Sequence, residues 1–356
     1  MTGEARRSRL DVIVIGAGQA GLAMGRELER AGREFLLIDG ARAVGDSWRQ
    51  RWDSLRLFTP ASHSALRGIP FPAAPDHLPS KNEVADYLAG YAQAFSMPIA
   101  LDEPVRDLRV NGVHDFIVTT DYARYRARHV VVATGGFQAP SVPPFASLLP
   151  RSVTQLHSSE YRSPSALPPG PVTVVGAGNS GVQIAAELAA AREVTLATGR
   201  ALTRLPSRVL GRSIFDWLQR TGAMDITVRS FLGRRASRTE TLIGLSPRDV
   251  ARTHGVHLMP RIVRAEGDAL RAECGKLAKV STVIWATGFK PSYAWLNAPV
   301  FDAAGRPRHE RGVTAVPGLH FLGLPWQHTR GSALLGWVAR GAEYLAGRIQ
   351  QQGWPS

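Results

Sequence analysis

Two glycine turns constrain this chain more than anything else in it. Residues 11–15, DVIVI, are apolar and β-branched, the composition of a strand buried on both faces of a parallel sheet. Gly16, Gly18 and Gly21 follow at once, then a helical run, then a second apolar strand, Phe35 to Ile38, closed by Asp39. In such a unit the first glycine permits a tight turn and the second lets backbone approach a pyrophosphate. The third lets helix pack on strand, leaving helix amides aimed at phosphate oxygens. A carboxylate at the end of the second strand accepts hydrogen bonds from an adenosine ribose. The pattern returns about 160 residues later in Pro171 to Leu188, where Gly176, Gly178 and Gly181 follow TVV. One glycine turn is weak evidence in a chain with 35 glycines, but two complete units point to two dinucleotides.

The copies end differently. Asp39 closes the first, whereas the second strand of the later unit, Glu193 to Ala197, runs into Thr198-Gly199-Arg200. An acid suits the free ribose of FAD and repels the 2′-phosphate of NADPH, which suits Arg200, with Arg204 as a second candidate.

The net charge of +14 would point to nucleic acid or a membrane surface if the charges were clustered. They are scattered, and 39 of the 43 basic residues are arginines, so neither partner is expected. Cys274 is the only cysteine, which excludes an internal disulfide or a CxxC pair and fits a reducing cytoplasm. The N-terminus lacks the apolar run of a signal peptide, and no uninterrupted apolar run reaches membrane length. No metal site is read.

Between the turns, Gly45 to Pro60 is too rich in Trp, Arg and Asp for an ordinary connector and reads as a segment covering a cofactor. The spacing predicts a helix over 82–95, capped by Ser80 with Glu83. Antiparallel strands are expected over 105–128, with Asn111-Gly112 as a turn. They lead to Ala133-Thr134-Gly135; residues 262–280 lead likewise to Ala286-Thr287-Gly288, so the two ATG elements mark corresponding crossings. A helix is predicted over 213–219, and another from Thr329 or Ser332 to about Ile349. The role of residues 201–260 is not legible.

These pieces, in this order, resemble the class B flavoprotein monooxygenases, in the branch of flavin-containing monooxygenases that includes plant indole-3-pyruvate monooxygenases and small bacterial relatives. The resemblance spans essentially the whole chain. It rests on Gly16-Ala17-Gly18-Gln19-Ala20-Gly21, on Ser47-Trp48 with Leu55-Arg56-Leu57-Phe58-Thr59-Pro60, on Ala133-Thr134-Gly135, and on Gly176-Ala177-Gly178-Asn179-Ser180-Gly181. It implies an α/β fold of two dinucleotide-binding Rossmann-like domains in a glutathione-reductase-like architecture. The FAD domain would comprise residues 1–165 plus 290–356, with an NADPH domain, 166–289, inserted. The implied activity is NADPH-consuming insertion of one oxygen atom from O₂ into a small organic substrate through a C4a-(hydro)peroxyflavin. The implied cofactor contacts are Gly16, Gly18, Gln19, Ala20, Gly21, Asp39, Ser47, Trp48, Leu57, Thr59, Thr134 and Gly135 for FAD. For NADPH they are Gly176, Gly178, Asn179, Ser180, Gly181, Thr198 and Arg200. No catalytic side chain is assigned, and a homodimer is compatible with the sequence.

Two departures bear on the chemistry. The family fingerprint FxGxxxHxxx(Y/F) ends at His157 and Tyr161, but Arg151 and Val153 replace its Phe and Gly, and Pro60 stands where many members carry an asparagine. His157 reads equally as a linker histidine bonded to backbone. An NADPH-dependent reductase or oxidase of the same architecture therefore stays open, as does a non-catalytic redox-sensing flavoprotein.

Overall fold

The computed structural model describes residues 9–199, 202–239 and 241–351. Two sheets organise the chain. The larger has eight strands, in the order Leu296–Asn297, Val105–Val110, Phe116–Thr120, Arg124–Val132, Leu10–Ile15, Phe35–Ile38 and Ile99–Ala100, with Leu319–Phe321 paired to the far half of Arg124–Val132. Leu10–Ile15 lies at its centre, parallel to both neighbours, and Val12, Ile13 and Val14 are fully buried. On one face Val12 and Val14 join the core of the helices Gln19–Arg30 and Val338–Gln351. On the other, Ile13 and Ile15 meet Phe116, Tyr293 and Phe321.

The second sheet has five parallel strands in the order His257–Met259, Val194–Ala197, Val172–Val175, Thr282–Trp285 and Thr154–His157. Thr154–His157 is its edge strand, because Thr282–Trp285 needs a partner there and Val153 packs in the same core as Val283 and Trp285. The second sheet thus draws its edge strand from residues before 165. An antiparallel ribbon, Ile262–Glu266, Ala269–Ala272 and Leu277–Lys279, precedes Thr282–Trp285 as residues 105–128 precede the first crossing. The first ribbon merges with its sheet through the nine-residue strand Arg124–Val132, whereas the second stands apart.

The helix Lys81–Ala94 starts on Ser80, whose amide donates to Glu83 at 2.8 Å while its hydroxyl accepts from the Glu83 amide. Ile214–Arg220 is capped the same way by Ser213 and Asp216. The C-terminal expectation needs correction. The Ser332 hydroxyl does accept from the amides of His328 and Thr329, but it closes a 3₁₀ turn, Arg330–Ala333, and the α-helix begins only at Val338. The interruption falls at Leu334, whose extended backbone (φ −84°, ψ 141°) ends the 3₁₀ turn; Gly336 follows in the next turn, where a methyl group would stand 2.2 Å from the His63 carbonyl oxygen. Residues 201–260 add two helices that periodicity did not reveal, Phe231–Ser237 and Pro247–His254. Among the described residues no helix is long and apolar enough to cross a membrane.

Candidate nucleotide and substrate cleft

In the first turn the three glycines do different work. Gly16 has φ +105°, and a methyl group on it would stand 2.8 Å from the Ala133 carbonyl oxygen. One on Gly21 would lie 1.8 Å from the Gly16 carbonyl oxygen. Both are packing positions. At Gly18 a methyl group would meet nothing within 4 Å. Gly18 is the N-cap of Gln19–Arg30, which has no side-chain cap and no acid in its first turn. Its amides thus keep unanswered donors and a partial positive charge beside an open space, as a pyrophosphate requires. Asp39 Oδ2 accepts from the Ala17 amide at 2.6 Å and Oδ1 from the Ala41 amide at 2.8 Å. A carboxylate has about four acceptor sites, so two remain for ribose hydroxyls. The residues present fit an adenine dinucleotide.

The second turn repeats the geometry. Gly176 has φ +108°, with the Ala286 carbonyl oxygen 2.3 Å from a methyl group placed there, and one on Gly181 would lie 1.9 Å from the Gly176 carbonyl oxygen. Each ATG element therefore backs its glycine turn through the alanine carbonyl. Gln138 Nε2 donates to Thr134 Oγ1 at 2.7 Å and to the Gly135 carbonyl at 2.8 Å, which fixes the first of them. Just beyond, Ala139–Pro140 pairs with Phe289–Lys290 and ties the two crossings together.

Around the second turn several expected contacts are otherwise engaged. The helix Asn179–Leu188 again lacks a side-chain cap, and Ser180 is half-buried in its first turn. The Asn179 side-chain amide, however, donates to the Thr241 carbonyl and accepts from the Ile243 amide at 3.0 Å, so it anchors the strand Thr241–Ile243. The Thr198 hydroxyl donates to the Met259 carbonyl and keeps no proton for a phosphate. Arg204 is paired with Asp249 at 2.9 Å. Arg200 lies outside the described residues.

Gly45 to Pro60 bridges the two units. Trp48 packs on the cores of both sheets, while Trp52 and Leu55 are buried in the second. Leu57 packs against the first core, and Thr59 is buried with its carbonyl accepting from Ser64 Oγ. Ser47 is exposed. Lys81, unremarked in the sequence, pins this segment: its buried ammonium donates to the carbonyls of Arg49 and Arg51 and pairs with Asp53 at 2.7 Å. Its only signal was rarity, one of four lysines.

His157 takes the structural reading. Its Nε2 donates to the Gly288 carbonyl at 3.0 Å and Nδ1 accepts from Ser159, so it holds the second ATG element; burial lowers its pKa and keeps the ring neutral. Tyr161 is fully buried and donates to Glu187 at 2.8 Å, with burial pushing its phenol pKa up. Sequence reasoning missed the pair His63 and Asp216, 2.7 Å apart and separated by 153 residues. No local pattern could have joined them.

Two glycine turns of the same build, joined by paired crossings, belong to a flavin- and nicotinamide-dependent oxidoreductase. Residues 13–215 match the pyridine nucleotide-disulphide oxidoreductase family, and the chain belongs to it, among the class B flavoprotein monooxygenases. An uncharacterized CzcO-like oxidoreductase of Geobacillus kaustophilus is 45% identical, over 96% of this chain and 98% of its own length. YUCCA3 of Arabidopsis thaliana, named as a probable indole-3-pyruvate monooxygenase, is 25% identical over 90% of this chain and 84% of its own. A flavin-containing monooxygenase from Stenotrophomonas maltophilia superposes with a TM-score of 0.82 at 29% identity, covering 97% of this chain and 99% of that one.

Proposed function

We propose that this protein is an FAD-dependent monooxygenase that consumes NADPH and transfers one oxygen atom from O₂ to a small organic substrate. The observation that carries the reading is the asymmetry of the cradles: a carboxylate, Asp39, ends the first, and Thr198-Gly199-Arg200 ends the second. FAD is assigned to the first unit, through Gly16, Gly18, Gln19, Ala20, Gly21 and Asp39, with Trp48, Leu57, Thr59, Thr134 and Gly135 along its border. NADPH is assigned to the inserted unit, through Gly176, Gly178, Ser180, Gly181 and Arg200. When bound, the flavin supplies the oxygen chemistry. The chain's own part is to receive phosphate on the two helix ends, accept ribose hydroxyls at Asp39 and exclude water where Trp48 closes on both cores. A reducing cytoplasm belongs to the same reading, since the sole cysteine, Cys274, is exposed.

The test is product mass after turnover with NADPH under ¹⁸O₂ across amines, sulfides and α-keto acids. One labelled oxygen in a product supports the assignment. NADPH consumption with stoichiometric peroxide and no labelled product supports the reductase or oxidase instead.

A further inference from the structure

Residues 203–230 leave the inserted unit and lie across the first. Their base is pinned beside the second cradle: Thr203–Leu205 pairs with Thr241–Ile243, the strand that Asn179 holds. Their far end is fastened to the first unit. Thr227 bridges Thr329, the Val228 amide donates to the His328 carbonyl, Arg229 pairs with Glu310, and Arg340 with Asp225. Those ion pairs are exposed and contribute little.

The central tie is different. His63 and Asp216 meet at 2.7 Å, with the imidazole only 12% exposed and stacked on Trp337 at 5.6 Å. Ile214, Phe215 and Met224 of the crossing segment form one core with Trp337, backed by Phe58 and Leu334. The same C-terminal stretch borders the first phosphate turn, because Gln19 Nε2 donates to the Ala333 carbonyl at 2.6 Å. Asp216 uses its other oxygen to accept from the Ser213 amide, so the helix Ile214–Arg220 stays capped whether or not His63 is engaged.

We propose that residues 203–230 are a strap laid over the C-terminal stretch that borders the first cradle, that it opens to admit substrate, and that His63–Asp216 is its latch. Substrate entry rests on the proposed monooxygenase function; the latch itself requires only a bound flavin.

The test uses enzyme loaded with FAD, measuring hydrogen–deuterium exchange by peptide and acrylamide quenching of flavin fluorescence. In His63→Ala, exchange over 206–225 rises at least tenfold and the quenching constant at least twofold, while Val172–Val175 and Thr282–Trp285 are unchanged. His63→Gln, whose amide can still donate to Asp216, returns both to within twofold of wild type. Should His63→Ala not fold, Asp216→Asn, with a neutral acceptor, gives a smaller rise, about threefold in exchange, at the same peptides. Wild-type values for both readouts in the folded variant overturn the proposal. So does faster exchange without faster quenching, or a rise that spreads through the five-stranded sheet. Neither readout involves turnover, so the latch stands or falls independently of the ¹⁸O₂ experiment.

Discussion

A methyl group added at Gly18 and one added at Gly21 meet different neighbours, and this separates fold from ligand at single-residue scale. At Gly21 it would strike the Gly16 carbonyl oxygen, which is backbone and cannot move aside, so Gly21→Ala should cost about 3 kcal/mol or more, or fail to fold. At Gly18 it enters open space, and the melting temperature of the flavin-free protein should shift by no more than about 2 °C. Flavin affinity should nevertheless fall by about tenfold or more, because the methyl group occupies the approach of the pyrophosphate. Thermal melts of the flavin-free variants beside flavin titrations check both. The second cradle offers a similar contrast. With the Thr198 hydroxyl committed to Met259, Thr198→Val should leave the KM for NADPH within about twofold, whereas Arg200→Ala should raise it by about tenfold and spare NADH. Equal losses with both cofactors would make Arg200 structural.

Elements were legible where local chemistry decides them. Ser80 and Glu83 form the capping box their spacing announces, and Val84, Tyr87, Leu88 and Tyr91 bury the face their periodicity defines. Ser80→Ala should therefore lower unfolding stability by about 1 kcal/mol, measurable by urea denaturation with an unchanged m-value. Both strand, glycine turn and helix units were legible for the same reason: every constraint lies within about thirty residues. What failed was mostly non-local. Asn111-Gly112 reads as a tight turn, but Val110 pairs with Phe116, so the connection runs through 111–115. Ser332 carries a sound cap signal, yet the chain turns extended at Leu334 and the helix waits until Val338, with Gly336 between them packed against His63, 273 positions earlier in the chain. Asn179 and Thr198 match a nucleotide site in sequence and are claimed by Thr241, Ile243 and Met259, residues about sixty positions away. The strand His257–Met259 is three residues long, too short for any periodicity to mark it.

At the scale of the molecule, stability should depend on pH through histidines far from either cradle. His114, His129 and His320 form a chain of rings, with centroids 5.2 and 6.0 Å apart, reaching into the first sheet. His320 is fully buried, and among the described residues neither of its ring nitrogens has a hydrogen-bond partner. Burial pushes its pKa down to about 3 and that of His129 to about 4. The neighbouring rings reinforce this, as do Arg9, Arg33 and Arg128 around His129 and Arg348 near His320. All are bases, and none stabilises a proton. An unfolded histidine titrates near about 6.5, so between that pH and about 4 the unfolded chain holds more protons than the folded one. Stability is then complete above about pH 7 and falls as pH falls, by up to about 1.4 kcal/mol per pH unit for each histidine. Carboxylates titrate mostly below about pH 4.5, which leaves pH 7 to 5 as the window in which the histidines act alone. Urea midpoints at pH 7, 6 and 5 should decline steadily in the wild type. In His320→Leu, which removes one of the two most strongly depressed groups, the decline should be shallower but still present, because His129 and the less depressed His157, His309 and His328 keep contributing in the same direction. A wild-type midpoint that stays flat across this range would mean that the rings reach solvent or find a carboxylate before the first sheet opens.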